Sequence, residues 1–441
     1  MTAARWALAL TATLLASPAI AQDAAPLIAV VNATVHPGDG PPVENATVVV
    51  RGGRVVSVSA NGPVPAGATR IDAGGGVVTP GFVATQAPLG LVEISLEPET
   101  LDLAPESETA DAVRAAFSAA DGLNPRSTLI PVARMDGVTS ALSTPVAGLV
   151  SGTSAWIDLA AEPQAADLIV RERAAMHVNL DDSGVAAAGG AMPSALMRLR
   201  EVLEDARLYG RQRAAYDRRA LREMDTSRLD LERLQDVLAG RIPVVVCVSR
   251  ASDILRVLEL SREYRLRLVL AGAEEAWRVA DRVAAADVPV IVQPMTNLPS
   301  SFTRLGARFD NAAILARAGV RVVITTDGAH DLRNLRQEAG NAVAHGLPAD
   351  VALRALTLEP ARVFGLDADY GTIAPGKVAN LVVWNGDPFE TTTWATHVIV
   401  RGRELPVRSR QTDLLDRYRS LDAIPRGTPG LVPPREFTRV D

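Results

Sequence analysis

The chain has 441 residues, 48% of them hydrophobic, and a net charge of −6 at pH 7. That length holds a barrel-sized core with a side domain, while an acidic chain without a basic tract offers little to nucleic acid. No window supplies the roughly 20 apolar residues of a membrane span, and the single cysteine, Cys247, excludes an internal disulfide.

Taken in chain order, Arg5 precedes an apolar run from Trp6 to Ala16, and Ala19-Ile20-Ala21 has the small-x-small form of a cleavage site. Residues 1–21 are read as a secretory signal peptide cleaved before Gln22. No cysteine follows to take a lipid anchor, so a secreted, periplasmic protein without a membrane anchor is expected. Residues 27–79 are rich in Val, Gly and Pro, and 48–56 read as two strands around a Gly52-Gly53 turn. Near the other end, 379–384 predicts a strand and 397–405 a hairpin. Neither group has enough strands to stand alone. Residues 22–79 and 375–410 are therefore predicted to combine in one small composite β-sandwich. Residues 411–441 are read as a C-terminal helix and tail, Pro- and Arg-rich from 423 onward.

Between them, residues 80–374 alternate apolar strands with helical stretches. A valine-rich strand at 243–248 precedes a helix at about 251–263, and 266–270 precedes a helix at about 273–286. Strands at 288–292 and 320–326 follow, then helices at about 331–345 and 349–357. Repeated units with continuous Val/Ile runs predict a parallel sheet covered by helices. The length suits an α/β fold with a TIM-like (β/α)8 barrel over 80–374. A doubly wound open sheet is the alternative, but no Gly-x-Gly-x-x-Gly follows any strand, which argues against a dinucleotide site. Residues 194–239 predict long amphipathic helices with Arg–carboxylate pairs on a solvated face.

Residues 77–90 run Val-Val-Thr-Pro-Gly-Phe-Val-Ala-Thr-Gln-Ala-Pro-Leu-Gly, a buried strand leading into a turn. Thr325-Thr326-Asp327-Gly328, Ala344-His345-Gly346-Leu347-Pro348, Gly371-Thr372-Ile373, Pro375-Gly376-Lys377-Val378-Ala379-Asn380 and Gly386-Asp387-Pro388-Phe389 follow in that order. Together these resemble the imidazolonepropionase-like branch of the amidohydrolase superfamily, over nearly the whole mature chain. The resemblance implies a distorted TIM-type barrel with a composite sandwich, hydrolysis of non-peptide C–N bonds in amides or cyclic amides, and zinc as the usual metal. It implies Asp327 as the catalytic aspartate, a metal ligand and proton shuttle. The family's first barrel strand ends in His-x-His; the aligned positions here are Gln86, Ala87 and Pro88. Where relatives carry further metal-binding His or Lys residues, this chain has Cys247 with Ser249, and Ala271-Gly272. The sole lysine, Lys377, lies in a turn outside the barrel, so no carbamylated lysine is at hand.

Function in such a barrel sits at the C-terminal strand ends. The predicted catalytic residues are Asp327 and His330, and the predicted substrate-binding residues are Gln86, Ser249, Gln293 and Glu93. No metal ligands and no cofactor are assigned, because a catalytic zinc takes about three His, Cys or carboxylate ligands at roughly 2.0–2.3 Å. His36 and His397 fall in the terminal β segments, His345 on a helix, and His177 has no partner at ligand spacing. Cys247, flanked by valines, reads as core. Glu93 opens an acidic loop (Glu97, Glu99, Asp102, Glu106, Glu108, Asp111) that lacks calcium-loop spacing and reads as solvated. There is no Gly-x-Ser-x-Gly elbow. An Asp327–His330 acid–base pair would contribute about 10²–10⁴-fold. A metal lowers the pKa of bound water from about 15.7 to about 7, roughly 12 kcal/mol.

Two readings result. One is a C–N hydrolase with a rebuilt site around Asp327. The other is a catalytically degenerate amidohydrolase kept as a periplasmic binding or interaction module for a small molecule. Convergence of three or more of Asp327, His330, Cys247, Glu93 and His177 would favour the first. Oligomeric state is not set by the sequence.

Overall fold

The valine-rich segments sort into two eight-stranded sheets in the computed structural model, which describes residues 26–104, 111–326 and 328–419. The predicted signal peptide, Asp327 and residues 420–441 lie outside the described residues. From the N-terminal side come β1 (Leu27–Val35), β2 (Val43–Arg51), β3 (Arg54–Ala60), β4 (Thr69–Asp72) and β5 (Val77–Pro80). The next eight strands build the barrel: β6 (Phe82–Ala87), β7 (Val138–Ser143), β8 (Val150–Asp158), β9 (Ile169–Asn179), β10 (Val244–Val248), β11 (Leu268–Gly272), β12 (Val290–Val292) and β13 (Val322–Ile324). The last three, β14 (Leu381–Trp384), β15 (Ala395–Val400) and β16 (Arg403–Leu405), rejoin the first sheet. There β5 sits between β1 and β14, with Val78 opposite Val383. The two ends of the chain thus share one sheet, whose buried face carries Val30, Val48, Val50, Val78, Leu381 and Ile399.

The long apolar run at 77–90 divides at Pro80-Gly81. Residues before the break belong to the terminal sheet and residues after it to the barrel. Gly81 is required at the corner because any Cβ there would run into the Thr139 side chain.

The barrel strands follow sequence order. All neighbours are parallel except β8, which runs antiparallel to both β7 and β9. One βα unit is therefore replaced by a hairpin. The Thr85 N–H donates to Thr325 Oγ1 at 3.4 Å, bringing the first strand to the last and nearly closing the ring. Every strand sends an apolar side chain inward: Val83, Leu142, Trp156, Ala175, Val245, Val269, Ile291 and Val323. Phe364 and Tyr370, from the chain leaving the last barrel helix, form the floor. Trp156 packs on them at centroid distances of 6.4 and 5.7 Å. Burying aromatic area of this size contributes about 3 kcal/mol per ring. The charged helices obey their pattern, with Arg228 pairing Glu232 at 2.8 Å and Arg198 pairing Glu201 at 3.0 Å. No helix among the described residues is long and apolar enough to cross a membrane.

Barrel and sheet are joined by one buried carboxylate. Asp158, at the end of β8, is 0% exposed. Its Oδ1 accepts from Ser140 Oγ at 2.7 Å and Asn380 Nδ2 at 3.1 Å. Its Oδ2 accepts from the Tyr370 hydroxyl at 2.9 Å and Arg401 Nε at 2.5 Å. Arg401 also donates to the Asp167 and Leu168 carbonyls, at 2.6 and 3.2 Å. Nearby, Trp384 of β14 stacks on Phe82 of β6 at 5.4 Å, and its Nε1–H donates to Thr79 Oγ1 at 2.9 Å. Deleting one partner of a buried ion pair leaves the other uncompensated, at a cost of about 3–5 kcal/mol. Asp158→Ala is expected to lower the unfolding free energy by about 3 kcal/mol in urea titrations, since Arg401 is partly solvated. A loss under about 1 kcal/mol would show that the junction does not rest on this group.

Candidate functional site

The C-terminal ends of the strands gather polar but uncharged side chains. Thr85 and Gln86 come from β6, Ser249 follows β10, Gln293 follows β12, and Thr325 and Thr326 follow β13. Thr85, Ser249, Thr325 and Thr326 are buried, and Gln86 and Gln293 are half-buried. Gln293 Nε2 donates to the Thr326 carbonyl at 3.3 Å, and its Oε1 accepts from Thr296 Oγ1 at 3.0 Å. These bonds tie the end of β12 to the end of β13. Among the described residues three buried polar atoms in this ring have no partner: Thr85 Oγ1, Gln86 Nε2 and Thr326 Oγ1. An unmatched buried donor or acceptor costs about 1–3 kcal/mol, so each of these atoms calls for a water or another polar partner.

The other predicted residues are placed as follows. Asp327 is outside the described residues. His330 is exposed, in the turn after β13. Glu93 is engaged in local structure: its Oε2 accepts the Thr128 N–H and hydroxyl at 3.0 Å, and its Oε1 accepts from Asn124 Nδ2 at 3.3 Å. It thereby fixes the start of the helix Leu129–Met135. Cys247 is half-buried at the end of β10, in register with Asn179 of β9 and Ala271 of β11.

Sequence reasoning passed over two acidic residues just after β11. Glu274 is buried and pairs through Oε1 with Arg304 at 3.2 Å, and among the described residues its Oε2 has no partner. Glu275 accepts the Ala251 N–H at 3.1 Å and the Gly306 N–H at 2.7 Å, pinning the long loop after β12. The available signal was position: a carboxylate two or three residues beyond a barrel strand.

His177 lies on β9 beside Val245, inside the barrel. Its Nε2 is 2.8 Å from Ser154 Oγ on the antiparallel strand β8. Burial lowers its pKa from 6.5 to about 3, so the ring is neutral at physiological pH.

Zinc, the family's usual metal, can be tested against this donor set. Hydroxyls and carboxamides dominate the mouth. Among the described residues no group of three His, Cys, Asp or Glu side chains is arranged to hold a metal. Among the described residues these side chains alone do not make up a zinc centre, and no step through a metal is derived for them.

With the geometry in place, comparison with known proteins is decisive for lineage. A solved amidohydrolase from Thermotoga maritima superposes with a TM-score of 0.78 at 26% identity, covering 86% of this chain and all 100% of that one. The sequence pattern of the Amidohydrolase family matches residues 254–405. Residues 254–405 thus carry the Amidohydrolase family pattern, on a fold shared with a solved amidohydrolase. Two curated relatives match more locally. The 5'-deoxyadenosine deaminase of Methanothermobacter thermautotrophicus is 33% identical over 129 residues, 27% of this chain and 28% of that protein. The 5-methylthioadenosine/S-adenosylhomocysteine deaminase of Desulforudis audaxviator is 34% identical over 117 residues, 23% of this chain and 27% of that protein. The matched stretch thus spans little more than a quarter of either relative.

The depressed His177 pKa carries a stability consequence. As pH falls, the unfolded chain takes up this proton near 6.5, while the folded chain does so only near 3. Stability present above about pH 6.5 is therefore lost on acidification between those values, at about 1.4 kcal/mol per pH unit. His177→Asn removes this contribution. Urea titrations from pH 7 to 4 should show a shallower acid-side decline in the variant than in wild type. Equal slopes would mean that the ring titrates normally in the folded state.

Proposed function

We propose that this amidohydrolase keeps the barrel mouth as a binding site for a small uncharged polar molecule, and does not carry out metal-assisted C–N hydrolysis there. The observation that carries the reading is Gln86, at the end of β6, whose buried Nε2 has no partner among the described residues. A carboxamide N–H complements the carbonyl of an amide or lactam, the polar group that the resemblance implies for the substrate, without activating water. Thr326 and Gln293 supply further donors and acceptors, and Ser249 lies at the end of the adjoining strand. A second reading, hydrolysis of non-peptide C–N bonds, is favoured by the deaminase relatives. In it Asp327 and His330 would exchange protons with the substrate while Gln86, Ser249 and Gln293 position it. We further propose export to the periplasm, on the strength of Arg5, the apolar run after it and Ala19-Ile20-Ala21.

Elemental analysis of the purified mature protein, joined to a chelator test on a panel of amides and lactams, separates the two readings. The binding reading expects far less than one metal per chain and no chelator-sensitive turnover. It also expects at least one panel compound to raise the melting temperature of wild type but not of Gln86→Leu. Stoichiometric zinc, or turnover abolished by chelation, would replace it with the hydrolase reading. N-terminal sequencing of protein recovered from the periplasm should begin at Gln22.

A further inference from the structure

The opposite end of the barrel carries a second feature, unrelated to the mouth. A cleft of about 600 Å³ opens where β9, β10 and β11 begin, lined by Arg171, Arg173, Arg241 and Arg267 together with Glu172 and Asp236. The four guanidiniums outnumber the two carboxylates there, although the whole chain is acidic. The one carboxylate that pairs is fully used. Asp236 Oδ1 accepts from Arg241 Nε and Nη2 at 2.8 and 2.6 Å, and its Oδ2 lies 3.4 Å from Arg173 Nη1. Arg171 and Arg267 rest on backbone carbonyls instead. Arg171 donates to the Phe364 and Gly365 carbonyls at 2.6 and 3.0 Å. Arg267 donates to the Gly240 and Arg241 carbonyls at 3.4 Å. Among the described residues neither guanidinium has an ion-pair partner.

Two like charges held near each other without an intervening anion repel. Burial, and after it the Arg267 charge, lowers the Arg171 pKa from its ordinary value. Each guanidinium has five N–H donors. The carbonyl bonds of Arg171 use two and orient the plane, so little further freedom is lost when a ligand engages the rest. Tetrahedral oxyanions match this donor geometry, and charge-assisted bonds of this type are roughly twice as strong as neutral ones.

We propose that Arg171 and Arg267 form an oxyanion site at the closed end of the barrel, which takes phosphate, either free or carried as a phosphomonoester on a small molecule. Isothermal titration of the full mature chain with inorganic phosphate at low ionic strength tests this. Wild type should bind saturably at one site. Arg267→Gln should weaken binding about tenfold or more, the loss expected for one charge-assisted contact. Arg256→Gln removes an exposed arginine paired with Glu259, outside the cleft, and should leave the affinity within about twofold. Should Arg267→Gln fail to fold by circular dichroism, Arg171→Lys, which keeps the charge but loses the planar fork, should weaken binding instead. Tighter binding of phenyl phosphate than of inorganic phosphate would assign the site to a phosphomonoester, and equal or weaker binding to the free ion. Absence of saturable binding to wild type would overturn the proposal. So would wild-type affinity in the cleft variant, or an equal loss in Arg256→Gln.

Discussion

A single carboxylate, Asp158, sets the relation between the two halves of this molecule. Four donors from four separate segments converge on it: a barrel strand, the chain leaving the last helix, the lead into β14 and the turn after β15. A charge so far from water is tolerated only when its lone pairs are met. The arrangement exists because β8 is reversed. In a parallel strand a C-terminal aspartate would arrive at the mouth, where barrel chemistry is placed. Here the reversal delivers it to the floor, where it holds Tyr370 beneath the core and Arg401 across the junction. An acidic residue whose strand position resembles that of a catalytic group is thus committed to architecture.

The mouth is built from different material. Gln86 stands at a position aligned with the His-x-His of the resemblance, threonine hydroxyls lie at neighbouring strand ends, and the barrel beneath keeps a full apolar interior. The two are physically separable, because inward-facing valines and Trp156 hold the ring closed whatever the strand ends carry. A fold maintained by its core can therefore change or lose the chemistry displayed at its rim. The T. maritima likeness extends over 86% of this chain, whereas the deaminase likenesses stay within about a quarter of it.

Legibility in the sequence followed side-chain composition. Strands β10 to β13 are short Val/Ile/Leu runs, buried on both faces, and their positions were readable within a few residues. Strands β7 to β9 are not: β7 and β8 scatter Ser, Ala and Gly among few Val and Ile even though every residue of β8 is buried, and β9 carries Arg171, Glu172 and Arg173 in its first half. His177 lies in the second half of that charge-interrupted strand, and the reversal of β8 leaves no mark that periodicity detects. The strand-end positions of Gln86 and Gln293 are legible because the apolar runs that precede them are. Glu274 was missed because its importance rests on burial beside Arg304, a contact set by a loop thirty positions away. The Pro80-Gly81 corner was visible as residue types, but its meaning required the collision with Thr139.

The shared terminal sheet also governs how the molecule is made. The Trp384 indole and its acceptor Thr79 are 305 positions apart, and β5 has no partner on one side until β14 arrives. At about 5–20 residues per second, a nascent chain waits on the order of tens of seconds for that closure. Throughout that interval a valine-rich edge stands open to any passing strand. Biogenesis, more than the finished fold, is where this protein is most exposed to error, and a holdase that shields the early strands would matter more to its yield than any improvement in the barrel.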